Sequence, residues 1–152
     1  MKAAFLLGVA ALGTACAATG NPPLVVECRV PESGARTGAA LVGMPYGQQH
    51  TPIPLDSVQF DSHATAARVA VQSLHAARTA SDTVEVGARL IHCGDTPGSV
   101  RIRTNFLRED RAPSEPASAW RTVYLQPRAI AQYQEYSTSP AAARYVIEIA
   151  TQ

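Results

Sequence analysis

Residues 83–107, TVEVGARLIHCGDTPGSVRIRTNFL, decide the fold class of this chain. Apolar and polar side chains alternate through residues 83–93 and again through residues 99–107, which is the period of a half-buried β-strand. The segment between them, GDTPG, is typical of a turn. The stretch therefore predicts two antiparallel strands joined as a hairpin.

The same alternation recurs on both sides of this stretch. Further strands are predicted at residues 24–30, 58–60, 68–77, 119–125, 130–137 and 144–150, with a single helical turn at residues 62–67. Residues 31–54 are rich in Gly, Pro, Ser and Gln and are expected to be irregular. Short, half-polar strands at regular spacing predict an all-β fold, an antiparallel β-sandwich, with a small barrel as the alternative.

The first 16 residues, MKAAFLLGVAALGTAC, have the pattern of an export signal. Lys2 precedes an apolar run at residues 3–12 that is too short to span a bilayer. Two cleavage patterns fit. Either Cys16 becomes the lipidated first residue of a lipoprotein, or Ala15-Cys16-Ala17 is an A-x-A site and Cys16 is removed. We expect lipidation at Cys16 and a place at the periplasmic face of the outer membrane, with a soluble periplasmic or secreted protein as the alternative.

The predicted organisation is a signal peptide at residues 1–15, a tether at residues 16–23 and a single domain at residues 24–152. About 135 residues are enough for one domain with a core and not for two. The net charge is +1 with 16% charged residues, which excludes the electrostatic footprint of a nucleic-acid-binding protein.

The chain has three cysteines, and the chemical state of each in an exported protein has to be explained. With Cys16 lipidated or removed, Cys28 and Cys93 remain in an oxidising compartment, where a pair tends to form a disulfide. Strict alternation would place Cys93 outward, so we expect a bulge near Leu90 and Ile91 that turns it inward. Two separate buried thiols are the alternative.

No catalytic residue, metal ligand or cofactor is predicted. His75 and His92-Cys93 lack the spacing of a zinc site. Asp56, Ser57 and His63 lie close together in the sequence, but no G-x-S-x-G elbow of a hydrolase surrounds any Ser. The adjacent Glu109 and Asp110 are expected to be solvated rather than an acid–base pair. The histidines are expected on surface strands and loops: His50, His63, His75 and His92.

Two surfaces are candidates for binding a partner. The loop at residues 108–118, REDRAPSEPAS, is longer and more charged than a hairpin needs, and Trp120 beside it is a side chain enriched among hot spots. The predicted partner-binding residues are Arg108, Glu109, Asp110, Arg111 and Trp120. The alternative is that Trp120 is a core residue and the loop a connector. The second candidate is a patch for an anionic partner formed by Arg89, Arg101 and Arg103, which would share the outer face of the hairpin with Glu85.

The aromatic residues of the last third are Trp120, Tyr124, Tyr133, Tyr136 and Tyr145. We expect core packing to account for most of them.

Residues 69–149 resemble the YcfL-like lipoproteins of Gram-negative bacteria. The resemblance lies in the strands VEVGARLIHC and VRIRTNFL, in Trp120 followed by VYLQP, and in a closing AARYVIEI. It implies an immunoglobulin-like sandwich, an envelope location and no catalytic residue.

These observations predict a non-enzymatic, outer-membrane-anchored periplasmic lipoprotein that acts as an accessory or adaptor for envelope proteins. The alternatives are a subunit of an envelope secretion, conjugation or pilus machine, and a secreted inhibitor of a hydrolase.

Overall fold

The computed structural model describes Cys28, residues 39–42 and residues 57–152. These residues form two facing β-sheets, so the predicted sandwich is confirmed and the alternative of a small barrel is wrong. The elements in chain order are β1 (Ala40–Leu41), β2 (Val58–Phe60), α1 (His63–Arg68), β3 (Val69–Arg78), β4 (Val84–His92), β5 (Gly98–Leu107), β6 (Arg121–Leu125), β7 (Ile130–Tyr136) and β8 (Arg144–Thr151).

The first sheet has the strand order β1-β8-β5-β6, and β2 also pairs with β8. Strands β5 and β8 pair antiparallel from Val100 opposite Thr151 to Leu107 opposite Arg144. Strand β2 runs parallel to β8, a departure from the predicted antiparallel arrangement. Strand β1 lies within the segment predicted to be irregular, of which only residues 39–42 are described.

The second sheet has the order β3-β4-β7 and is antiparallel throughout. Strand β4 pairs with β7 without interruption, whereas the register of β3 shifts between Val71 and Ser73 and leaves Gln72 as the extra residue. The predicted bulge in β4 is therefore wrong, because the partner strand carries it. Continued alternation places Cys93 in the outward phase, together with Arg89.

The predicted hairpin of β4 and β5 is also wrong, because the two strands belong to different sheets. Strand β4 pairs with β3 and β7, and β5 pairs with β6 and β8. A strand with one apolar and one polar face can either pair with its neighbour in sequence or face it across a core. As a result Glu85 and Arg89 lie on the outer face of the second sheet, and Arg101 and Arg103 on the outer face of the first.

The core fills the space between the two sheets. Its largest fully buried side chains include Tyr145 and Phe106, each of which contributes about 2–3 kcal/mol through burial. A polar pair also crosses this interface, where the Thr104 Oγ1 and the Tyr133 hydroxyl lie 2.9 Å apart. Burial raises the pKa of Tyr133 and outweighs the hydrogen bond with Thr104, which lowers it. The Tyr133 hydroxyl therefore stays protonated, and either hydroxyl group of the pair can donate the hydrogen bond to the other.

An ion pair closes the sandwich where the edge strands β6 and β7 approach each other. Glu135 is 8% exposed and turns inward from β7, and Arg121 reaches it from β6 with an Nη2 to Oε1 distance of 3.2 Å. A charge that points inward from an edge strand discourages pairing with another chain. The pair thus protects this open edge.

Helix α1 is the helical turn predicted at residues 62–67, and it is fastened at its start. The Ser62 hydroxyl accepts a hydrogen bond from the Thr65 backbone N–H, as an N-cap does. The Asp61 carboxylate accepts hydrogen bonds from the Thr65 hydroxyl and from the Thr151 backbone N–H on β8. Desolvation opposes ionisation of Asp61, but these hydrogen bonds outweigh it and hold the pKa of Asp61 below its usual value. The carboxylate joins α1 to β8.

The structure joins Cys28 and Cys93 in a disulfide, the predicted pairing, with Cα atoms 5.6 Å apart. The signal peptide at residues 1–15, lipidation at Cys16, the tether at residues 16–23 and the strand at residues 24–30 lie outside the described residues, apart from Cys28. Among the residues that are described, no helix is long and apolar enough to cross a membrane.

Candidate functional site

Trp120 lies on the outer face of the first sheet, one residue before β6 begins. It is 38% exposed, and Tyr124 further along the strand is 79% exposed. The alternation of β6 explains both positions, because Val123 and Leu125 turn towards the core, and Trp120 and Tyr124 lie in the opposite phase. The interpretation of Trp120 as a core residue is therefore wrong.

Core packing accounts for fewer aromatic residues than expected. Tyr133 and Tyr145 are buried between the sheets, whereas Trp120, Tyr124 and Tyr136 are exposed. The exposed three lie on two different faces, because Tyr136 belongs to β7 in the second sheet. Trp120 and Tyr124 thus share the outer face of the first sheet.

Two arginines of β5 lie against the Trp120 ring. The guanidinium carbons of Arg103 and Arg101 are 4.4 Å and 5.2 Å from the ring centroid. A guanidinium over an indole face gains about 0.5–1 kcal/mol at an exposed site. We call the group of Arg101, Arg103, Trp120 and Tyr124 the aromatic–basic surface.

Glu148 on β8 fixes one of the two arginines. Its carboxylate lies 2.6 Å from Arg103 Nε and also accepts a hydrogen bond of 2.7 Å from the Asn105 side chain. Arg101 has no carboxylate partner among the described residues and is exposed. The surface therefore combines a held aromatic ring with a positive charge that is left unneutralised within the described chain.

The loop at residues 108–118 is tied along β5. Leu107 forms a bridge with Pro113, and the Ser118 N–H donates to the Thr104 carbonyl over 2.9 Å. Glu115 accepts hydrogen bonds from the backbone N–H groups of Thr138 and Ser139, which pins the loop to the β7–β8 connection. These contacts hold the loop in place along the edge of the first sheet.

The charged tip of this loop is separated from Trp120. The tip residues Arg108, Glu109, Asp110 and Arg111 follow the end of β5, whereas Trp120 lies beside Arg103. Four strand positions between Arg103 and Leu107 correspond to roughly 13 Å. The structure thus places Trp120 with the arginines of the sheet and not with the predicted tip.

Contacts of the Asp110 carboxylate within the loop hold its charged tip. The Ala112 backbone N–H donates to Asp110, and this bond together with the neighbouring Arg108 lowers the pKa of the exposed Asp110 carboxyl. Arg111 has a φ of 69°, the left-handed region that a tight turn requires. The Asp110 carboxylate therefore serves the turn itself.

The predicted grouping of Arg89 with Arg101 and Arg103 is wrong, since Arg89 lies on the other sheet. There His75 covers Gly87, where an added Cβ would lie 1.8 Å from the imidazole Cε1. Only glycine leaves room for this side chain, which reaches to within 4.0 Å of Glu85. The outer face of the second sheet is therefore a separate surface, on which His75 packs over Gly87 and approaches Glu85.

The remaining candidates for chemistry are dispersed. Ser57 is fully buried and His63 is exposed on α1, so they form no accessible nucleophile–base pair, and Asp56 and His50 lie outside the described residues. No cluster of His, Cys, Asp or Glu suited to a metal ion occurs in the described part of the chain. Glu109 is exposed, as expected.

His92 corrects the expectation of surface histidines. It is 5% exposed, and its Nδ1 is buried with no hydrogen-bond partner in the described part of the chain. Uninterrupted alternation of β4 places His92 in the inward phase with Leu90, so the expected bulge near Leu90 and Ile91, which would have turned His92 outward, accounts for the wrong expectation.

Two solved structures are similar to this chain, and the first of them supports the fold. The crystal structure of Campylobacter jejuni cj0090 matches with a TM-score of 0.53 and 11% identity, over 63% of this chain and 98% of that chain. A DUF1425 family member from Shewanella sp. pv-4 matches with a TM-score of 0.48 and 13% identity, over 53% of this chain and 75% of that one. No protein-family model matches the chain, and no curated protein gives a significant match.

Proposed function

We propose that this chain is a non-enzymatic accessory or adaptor protein of the Gram-negative envelope that binds a partner protein through the aromatic–basic surface. The observation that carries the proposal is the exposed Trp120 ring lying on Arg101 and Arg103. Trp, Tyr and Arg are the side chains most enriched among interface hot spots.

The chemistry of this surface indicates what the partner presents. Arg101 can pair with a carboxylate, and the rings of Trp120 and Tyr124 can pack against apolar or aromatic side chains. Because Glu148 already holds Arg103, the Trp120 ring loses little conformational freedom when a partner binds. The partner segment is therefore acidic and contains at least one large apolar side chain.

The envelope location rests on the export pattern and on the YcfL-like resemblance of residues 69–149. We propose that Cys16 carries the lipid that holds the protein at the periplasmic face of the outer membrane. Metabolic labelling with a palmitate analogue should mark the wild-type protein, and Cys16→Ala should lose the label. An unlabelled, soluble wild-type protein would instead support the A-x-A site and a secreted protein.

Site-specific photo-cross-linking in intact cells tests the binding surface. A photoreactive amino acid at Tyr124 should give a discrete adduct with one envelope protein, whereas the same group at Tyr136 on the opposite sheet should not. Arg101→Ser or Trp120→Ala should remove the Tyr124 adduct without lowering the melting temperature by more than a few degrees.

A matched variant separates this surface from the loop tip. Replacing Arg108, Glu109, Asp110 and Arg111 with Ser should leave the Tyr124 adduct intact. If the tip variant loses the adduct while Arg101→Ser keeps it, the partner binds the loop and the proposed surface is wrong.

A further inference from the structure

A cavity of about 200 Å³ opens at one end of the sandwich. Helix α1, the β4–β5 turn and the end of β8 enclose it. Its apolar side consists of Val69, Val100 and Leu125. An apolar cavity of about 150 Å³ holds a ring as large as benzene, so this space suits a molecule of amino-acid size.

His92 forms one wall of the cavity, and its hydrogen bonding is incomplete. Nδ1 is enclosed without a partner, and the structure records no hydrogen bond for Nε2 within the described residues. The Nε2 edge faces two glycines that line the cavity with it, since a Cβ on Gly94 would lie 2.8 Å from Nε2 and one on Gly98 3.6 Å. Because Nδ1 is the enclosed atom, Nε2 is the imidazole atom that a ligand in the cavity can reach with a hydrogen bond.

The second basic group of the lining is Arg68, the last residue of α1. Its carbonyl accepts a hydrogen bond of 2.7 Å from the Cys93 N–H, which holds the end of the helix beside His92. Its guanidinium forms no ion pair with any described residue. Asp61 lies nearby, but its carboxylate is engaged by Thr65 and Thr151. Among the described residues, none with a carboxylate lines the cavity.

We infer that this cavity binds a small carboxylate with a short apolar body. The carboxylate is placed between Arg68 and the Nε2 edge of His92, and the apolar body contacts Val69, Val100 and Leu125. Arg–carboxylate hydrogen bonds are charge-assisted and give such a site its specificity. Either a free acid or the C-terminal residue of a peptide offers this chemistry.

Two-dimensional ¹H–¹⁵N NMR with N-acetylvaline as the probe tests the site, and N-acetylvalinamide is the matched ligand without the carboxylate. The acid should give saturable shifts at Gly94, Thr96 and Gly98 and at the His92 imidazole, whereas the amide should give none. A tripeptide ending in valine distinguishes the two sources. Tighter binding than N-acetylvaline points to a peptide C-terminus, and failure to bind points to a free acid.

Three variants complete the test. Arg68→Gln should weaken binding of the acid at least roughly ten-fold, and Gly98→Ala should do the same by covering the Nε2 edge at a distance the fold tolerates. Arg89→Gln, on the outer face of the second sheet, should leave binding unchanged. Equal shifts with acid and amide, or no shifts in the millimolar range, would overturn the inference. Neither result changes the expectation for the Tyr124 adduct, so the cross-linking experiment tests the proposed function independently of the cavity.

Discussion

At the scale of single residues, the polar pair of Thr104 and Tyr133 determines how the two sheets meet. Thr104 is fully buried and Tyr133 is 4% exposed, and their hydroxyl groups lie 2.9 Å apart across the core. Tyr133→Phe or Thr104→Val alone should cost about 1–3 kcal/mol, because each leaves the other hydroxyl buried without this partner. Urea unfolding followed by circular dichroism measures the change.

The double variant supplies the control for this prediction. Tyr133→Phe with Thr104→Val removes both hydroxyl groups and should cost less than the sum of the single variants, because two apolar groups then face each other. Strictly additive costs would mean that the two hydroxyl groups do not depend on each other.

The surroundings of single residues are also where the sequence predicted least. Trp120 and Tyr145 both lie in alternating segments near the C-terminus, yet one is 38% exposed and the other fully buried. Alternation assigns two phases to a strand but does not say which phase faces the core. The buried His92 was missed for a related reason, since the expected bulge in β4 would have turned it outward, whereas the register shift lies in β3.

At the scale of elements, the sequence predicted the strands well and their partners poorly. The described strands β2 to β8 lie close to the predicted segments, because a period of two is a local property. The partners of β4 and β5 depend on non-local contacts, such as the pairing of β5 with β8. A short turn such as GDTPG fits a hairpin and an intersheet connection equally, which explains the wrong pairing.

The connection between α1 and β8 gives a prediction about acid. The pKa of Asp61 is lowered in the folded protein, so its ionised form contributes stability that is present above the unfolded value of about 3.9 and is lost as the pH falls through the folded value. Asp61→Asn should therefore destabilise at pH 7 by about 0.5–1 kcal/mol, as the loss of charge-assisted hydrogen bonds at an exposed position predicts. The difference from wild type should shrink below about pH 4.

Unfolding measured between about pH 2 and pH 7 checks this prediction. Asp95→Asn is the matched control, because the Asp95 side chain is 86% exposed and, within the described ranges, pairs only with Arg128, which is 81% exposed. Its effect should be small at every pH. A destabilisation by Asp61→Asn that stays constant down to pH 2 would show that charge at Asp61 is not the source.

At the scale of the whole molecule, the domain presents separate regions for separate contacts. The aromatic–basic surface covers the outer face of the first sheet, and the His92 cavity opens at an end of the sandwich. Strand β5 belongs to both, since Val100 lines the cavity and Arg101 points to the outer face. The two regions therefore adjoin each other along β5.

The disulfide acts on the whole chain, because it joins residues 65 positions apart. In the chain-entropy model, closing a loop of that length removes freedom from the unfolded state and stabilises the fold by about 4 kcal/mol. Cys28→Ser and Cys93→Ser should each lower the free energy of unfolding by about 2–5 kcal/mol. Reductant should lower the stability of the wild-type protein to that of Cys28→Ser and leave the variant unchanged. Mass spectrometry of the exported protein should show the two cysteine peptides linked, and two thiols that alkylate freely in the folded protein would contradict the prediction.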